Sequence, residues 1–318
     1  MTKTIFVKPV GGLCNRIRVI DSLLAIANQT QKKLVVIWER NPTLNCGYLD
    51  LFQPTEKFEL LETKPRRGWS FPLFPSRRPT GFLKSWLYSQ TRKKHQIESE
   101  VFFDQLSDKI ESLRPVDPEK YPDIHAFDKC SYDLFADLRA TLQTDSNCFL
   151  TTCWRADGDP CYGDLFQPAD KVAAKISDIT SRFGKATIGV HIRGTDAAIT
   201  KKYSSVEAFK SAMDAAIERE PETDFFLATD EPAIKTDLIK TYDGRLHFFD
   251  QPDYSRNSPE NIENALVDLL CLASTKRVFG SYFSTFSQLA AQWNGVEENT
   301  IFGNDLGKQQ RDSVIGNQ

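Results

Sequence analysis

No apolar run in this 318-residue sequence approaches the about 20 residues that a helix needs to span a bilayer. The opening run Thr4-Ile5-Phe6-Val7 has neither the length nor the cleavage site of a secretory signal. No C-x-x-C pair occurs. The seven cysteines (Cys14, Cys46, Cys130, Cys148, Cys153, Cys161 and Cys271) are scattered and odd in number, which argues against structural zinc and for reduced thiols in a cytoplasmic compartment. Cys148, Cys153 and Cys161 lie close enough in sequence to offer a disulfide as the alternative. The G-x-G-x-x-G fingerprint and the P-loop are both missing, which speaks against a nicotinamide oxidoreductase. A net charge of −3 excludes a general polyanion binder. Repeats, low-complexity segments and nucleic-acid modules are absent too, so no nucleic-acid partner is expected. Acidic residues are missing locally: between Glu62 and Glu98 there is none.

What is present has the balance of an ordinary globular chain, 40% hydrophobic and 26% charged, long enough for two medium domains. Strands at 4–7 and 33–38 flank a helix over about 15–28, whose apolar residues Ile17, Ile20, Leu23, Leu24 and Ala27 fall at helical spacing. A strand at 148–154 and a helix at about 168–183 lead to a regular alternation. Its strands lie at 186–193, 224–229, 246–249 and 277–280, and its helices near 206–218, 232–242, 259–274 and 284–293. Such alternation predicts parallel, doubly wound sheets. The expected domains are 1–165 and 166–318, the first carrying a basic-aromatic insertion at about 62–98. In that insertion nine cations from Lys64 to Lys94 are interleaved with Trp69, Phe71, Phe74, Phe82, Trp86 and Tyr88. It reads either as a solvated loop that packs a few aromatics or as an acceptor or membrane-surface patch at the inner face of a membrane.

Four strand-to-helix junctions carry the residues suited to chemistry. Gly11-Gly12-Leu13-Cys14-Asn15-Arg16 is a tight turn before a helix, where Asn15 either caps the helix or meets a ligand oxygen. In His191-Ile192-Arg193-Gly194-Thr195-Asp196, alternation along the strand sends His191 and Arg193 to one face, and the Arg193 fork matches phosphate oxygens. A structural ion pair and a core histidine are the plainer reading of the same two residues. Thr229-Asp230-Glu231-Pro232 offers Asp230 as a helix cap or a ligand contact. Gly280 to Gln288 brings Ser284, Thr285 and Phe286 to a helix start that suits an anion. Asp268 is a carboxylate on an otherwise apolar helix and needs a partner, for which a guanine edge, the backbone or an arginine would serve.

The order and spacing of Gly-Gly-Leu-Cys-Asn-Arg (11–16), His-Ile-Arg-Gly-Thr-Asp (191–196), Phe-Leu-Ala-Thr-Asp (226–230) and Ser-Thr-Phe-Ser-Gln (284–288) resemble the fucosyltransferases. Within them the sequence resembles the nodulation α-1,6-fucosyltransferases and the protein O-fucosyltransferases. It covers 4–38 and 186–293 but not the middle. The resemblance implies an α/β glycosyltransferase-B fold, with two Rossmann-like domains facing across a cleft. It further implies GDP-fucose as donor, inversion at the anomeric carbon, a glycan or lipid-linked oligosaccharide acceptor, and no metal or cofactor. Under it Arg193 holds the β-phosphate and stabilises departing GDP, and His191 sits beside the nucleotide. Asp268 or Asp230 reads guanine, Ser284 and Thr285 contact phosphate, and Phe286 packs on the base. Gly11, Gly12 and Asn15 approach the phosphate from the first domain.

The chain departs from the family pattern at several positions. Cys14 stands where a glycine is usual, and Gly194 where the α-1,6 enzymes carry a second arginine. Their glutamate a few residues after the motif is missing from Ala197-Ala198-Ile199-Thr200-Lys201, and the glutamate that one O-fucosylating branch carries near the first glycine is missing too. The base is therefore unassigned, with Asp196 and Glu39 as candidates and an SN1-like route needing little base as the alternative. A nucleotide-sugar-binding protein without turnover, and a transferase using another nucleotide sugar, are the competing functions.

Overall fold

A computed structural model describes residues 2–63, 74–113, 116–122, 126–127, 135–156, 161–194, 198–250 and 255–303. The chain divides into two compact units, Met1–Ala169 with Ser255–Ile262, and Asp170–Tyr254 with Glu263–Gln318. The first unit runs past residue 165 because the backbone of 167–169 is bonded to it: Gln53 N donates to Gln167 O and Ala169 N to Leu51 O. Residues 255–262 belong to it through Asn45, whose backbone N and side-chain Nδ2 donate to Arg256 O and Asn257 O. No shift in composition marks that return.

The first unit contains β1 (Thr4–Pro9), α1 (Leu13–Gln29), β2 (Lys33–Glu39), α2 (Tyr48–Leu51), β3 (Glu59–Thr63), α3 (Phe82–His95), β4 (Ile97–Val101), α4 (Phe103–Glu111), α5 (Ala136–Gln143), β5 (Asn147–Thr152) and α6 (Tyr162–Leu165). Its five strands are ordered β3-β2-β1-β5-β4, and every pairing is parallel. Leu34 to Trp38 form a continuous apolar run because β2 is covered on both faces. One face meets an aromatic cluster of Phe6, Phe74, Tyr88, Phe102 and Phe149. Each such fully buried side chain contributes about 1.5–3 kcal/mol. α1 is tied to the segment after β5 by an ion pair out of solvent, Arg155 Nη1 to Asp21 Oδ2 at 2.7 Å. Arg155 also donates to the Tyr162 hydroxyl at 2.7 Å, and Asp21 Oδ1 accepts from Cys161 N at 3.0 Å.

The second unit contains α7 (Asp170–Thr180), β6 (Ile188–Ile192), α8 (Ala198–Tyr203), α9 (Val206–Arg219), β7 (Phe225–Thr229), α10 (Pro232–Thr241), β8 (Leu246–Phe248), α11 (Pro259–Ala273, from Glu263 onward), β9 (Arg277–Ser281), α12 (Thr285–Asn294) and β10 (Glu297–Ile301). The strand order is β10-β9-β6-β7-β8, again all parallel. Ile188, Val190 and Ile192 point into a core with Phe209, Met213, Phe225 and Leu227, as alternation predicts.

In both sheets the winding reverses beside the first strand. β1 is followed outward by β2 and β3, while β5 lies on its other side; β6 is followed outward by β7 and β8, while β9 lies on its other side. Ligands of open parallel sheets bind beyond the carboxyl ends of the strands at such a switch point. The Gly11-Gly12 turn follows β1, and Arg193-Gly194 follows β6. The two main sequence motifs therefore each sit at the switch point of their own sheet. The two α/β units with parallel sheets match the expected fold class. Six cysteines among the described residues are free thiols, Cys148, Cys153 and Cys161 included; Cys130 lies outside the described residues.

Candidate functional site in the second unit

The ends of β6 and β9 are joined by one hydroxyl. Ser281 Oγ donates to His191 O and accepts from Arg193 N, both at 3.1 Å. This fixes the backbone on either side of Ile192 and so aims the His191 and Arg193 side chains. The His191 ring is 8% exposed and stacks on the half-buried Phe286, with centroids 4.7 Å apart and an interplanar angle of 25°. Burial, reinforced by the Arg193 cation and opposed by Asp230, pushes the imidazole pKa down to about 3. His191 is thus neutral near pH 7, and positive charge on this face rests on Arg193. Among the described residues none bonds the buried His191 Nδ1.

Asp230 Oδ1 accepts from Gly194 N at 2.6 Å. The N-cap of α10 is Glu231, so Asp230 bridges to the loop after β6 instead of capping; Pro232 opens the helix as its sequence position predicts. The bridge also explains Gly194. A Cβ there would lie 2.4 Å from Glu231 Cβ, so the position has no room for a side chain. Ser284 caps α12 by accepting from Phe286 N at 3.3 Å. Thr285 begins the helix beside it. Asp268 is buried on α11, where its charge helps to raise the Cys271 thiol pKa, behind burial as the main cause.

In the first unit Gly11 has φ +88°, a conformation that favours glycine, and a Cβ there would stand 2.9 Å from Asn15 Nδ2. α1 starts at Leu13 with Gly12 as N-cap, so Asn15 does not cap it. The turn is held by Arg16, fully buried, whose Nε donates to Gly11 O at 3.0 Å and Nη1 to Glu39 O at 2.6 Å. Its guanidinium lies 5.1 Å from the Trp38 ring centroid. Burial lowers its pKa to about 10 even with Glu39 near. Lys8, 2% exposed, donates to Glu39 Oε1 and to Phe74 O, each at 2.9 Å. Glu39 Oε2 accepts from Asn41 Nδ2 at 3.3 Å. Both oxygens of this base candidate are therefore engaged. The other candidate, Asp196, lies outside the described residues, as do Trp69 and Phe71 of the insertion.

Sequence reasoning missed Ser281, Lys8 and the part played by Arg16. The only signal was a polar side chain at an element end that reads as solvated. A partner for each appears only when distant strands pair.

Fucosyltransferase NodZ from Bradyrhizobium is similar to this chain, at TM-score 0.56, 16% identity and 91% coverage of each chain. NodZ α-1,6-fucosyltransferase soaked with GDP-fucose has TM-score 0.56, 15% identity and coverage of 92% of this chain and 93% of that one. The fold is that of the fucosyltransferases. A mutant of Arabidopsis thaliana FUT1 in complex with GDP is similar at TM-score 0.52 and 13% identity, over 94% of this chain and 70% of that one. POFUT1 in its apo form is similar at TM-score 0.51 and 13% identity, over 95% and 98%. No family model and no curated protein matches by sequence.

Proposed function

We propose that the chain is an inverting, metal-independent fucosyltransferase that moves fucose from GDP-fucose to a glycan or lipid-linked oligosaccharide. The observation that carries this is the junction of β6 and β9. There a cation, a neutral buried imidazole and a capped helix start converge at the switch point of a fucosyltransferase-type fold. The acceptor hydroxyl attacks the anomeric carbon as its bond to the β-phosphate oxygen breaks; GDP leaves with the electron pair, and the hydroxyl proton passes to water. Arg193 neutralises the charge growing on that phosphate, the role a metal plays elsewhere. The backbone N–H groups at the start of α12 and the Ser284 and Thr285 hydroxyls hold the diphosphate. Phe286 offers the face turned away from His191 to the base, and Asp230 or Asp268 reads guanine.

Calorimetry with GDP against UDP and ADP tests the donor, because a carboxylate that reads guanine rejects the other two strongly. Arg193→Ala is expected to cut transfer by about 10²–10³. Wild-type turnover in that variant, with a native melting curve, overturns the mechanism. A nucleotide-sugar-binding protein without turnover is the second reading, favoured by the engagement of both Glu39 oxygens. Release of free fucose or transfer to any glycan refutes it, and a preference for UDP or ADP assigns another nucleotide sugar.

A further inference from the structure

We propose that one face of α3 in the first unit docks on an anionic membrane surface. Opposite sides of this helix differ sharply. Tyr88 and Thr91 are buried, and Tyr88 packs on Phe102 and Phe149. On the other side Phe82 is 88% exposed, Trp86 50% and Leu83 48%. With about 3.6 residues per turn, Phe82, Trp86 and Leu83 share an arc with Lys93 and Lys94, two exposed lysines farther along. Exposed Arg77 and Arg78 immediately precede the helix, and Lys84 lies in its first turn.

Single exposed apolar residues are ordinary, but three on one arc are not; with Leu49 they are the exposed large hydrophobics among the described residues. Charge decides the occupant. No acidic residue occurs from 63 to 97, and among the described residues Arg92, facing Glu100 at 3.5 Å, is the one cation of the helix with an acidic partner. A surface of aromatic and aliphatic tips ringed by uncompensated lysine and arginine complements anionic headgroups over an acyl boundary. Rings at the helix start enter the boundary, while Lys93 and Lys94 reach phosphates. No described helix is long and apolar enough to cross a membrane.

The test is co-sedimentation of the full chain with phosphatidylcholine vesicles, with and without phosphatidylglycerol. Binding is expected only with the anionic lipid, weakening as salt rises. Phe82→Ser with Trp86→Ser should reduce it more than tenfold, and Lys93→Glu with Lys94→Glu by at least about fivefold per charge. These positions are exposed, so melting curves and GDP binding should stay native. Equal binding to neutral vesicles, no binding, or binding indifferent to both double variants overturns the proposal. So does a concentration-dependent dimer that the aromatic variants abolish and vesicles do not compete, which would give the face to a second copy of the chain. Loss of GDP affinity with vesicle binding intact counts against the enzyme reading alone.

Discussion

Replacing Gly194 by alanine places one methyl where the second unit has no space. The new Cβ would stand 2.4 Å from Glu231 Cβ and 3.2 Å from its Cγ. Ordinary carbon contacts begin at about 3.5 Å, so roughly 1 Å of movement is required. The clashing atom is attached to backbone that is itself held, since Glu231 N donates to Thr229 Oγ1 at 3.3 Å and Glu231 O accepts from Lys235 N at 3.2 Å. The loop after β6 must therefore give way, stretching the 2.6 Å bond from Gly194 N to Asp230. Overpacking costs about 1–3 kcal/mol, and a charge-assisted hydrogen bond is worth a similar amount, so about 2 kcal/mol is expected if the bond is only lengthened. The melting of the second unit should fall by roughly 4–8 °C. Because Arg193 is the preceding residue, GDP affinity measured by calorimetry should weaken about tenfold. Glu231→Gly in the same chain removes the clashing atoms and should restore most of both losses. A Gly194→Ala variant that melts and binds like the parent would show that the position does have room for a side chain.

Asp21→Asn or Arg155→Met alone should cost about 3–5 kcal/mol by leaving one member of a buried pair uncompensated. Burial outweighs the pull of Arg155 and raises the Asp21 pKa, so Asp21→Leu with Arg155→Met should recover most of that loss; urea titrations in which the double variant is as weak as the sum of the singles would contradict this. His191 refuses a proton in the folded chain down to about pH 3 but accepts one near its ordinary 6.5 when unfolded. Its contribution to stability is therefore full above pH 6.5 and falls as the pH drops toward 3, and His191→Gln should flatten the acid slope of the urea midpoint over that window; parallel slopes would show that the ring is not held neutral.

The elements legible in the sequence were those whose period is imposed by burial. Lys33–Glu39 is apolar at five consecutive positions, and Ile188–Ile192 is buried throughout. Three strands escaped notice, Glu59–Thr63, Ile97–Val101 and Glu297–Ile301, and all three are edges of their sheets. Edge strands carry charge because half their surroundings are water and because charge discourages pairing with other chains, so Glu-Glu-Asn-Thr-Ile does not read as sheet. Pro75 and Pro79 both precede α3, which begins only at Phe82, as their missing N–H groups require. At the candidate site the motif residues were readable because glycine, histidine and arginine at a strand end are informative in themselves. The bonds that organise them, Ser281 to the β6 backbone and Asp230 to Gly194, join residues 88–90 and 36 positions apart, and no local pattern encodes them.

The Ser281 hydroxyl gives and takes at once, and that makes it a pivot between two loops. Were a phosphate to draw Arg193 by a few tenths of an ångström, its amide would pull on the same oxygen, which sits three residues before the α12 cap. Under the proposed function the loop after β6 and the start of α12 would then shift together.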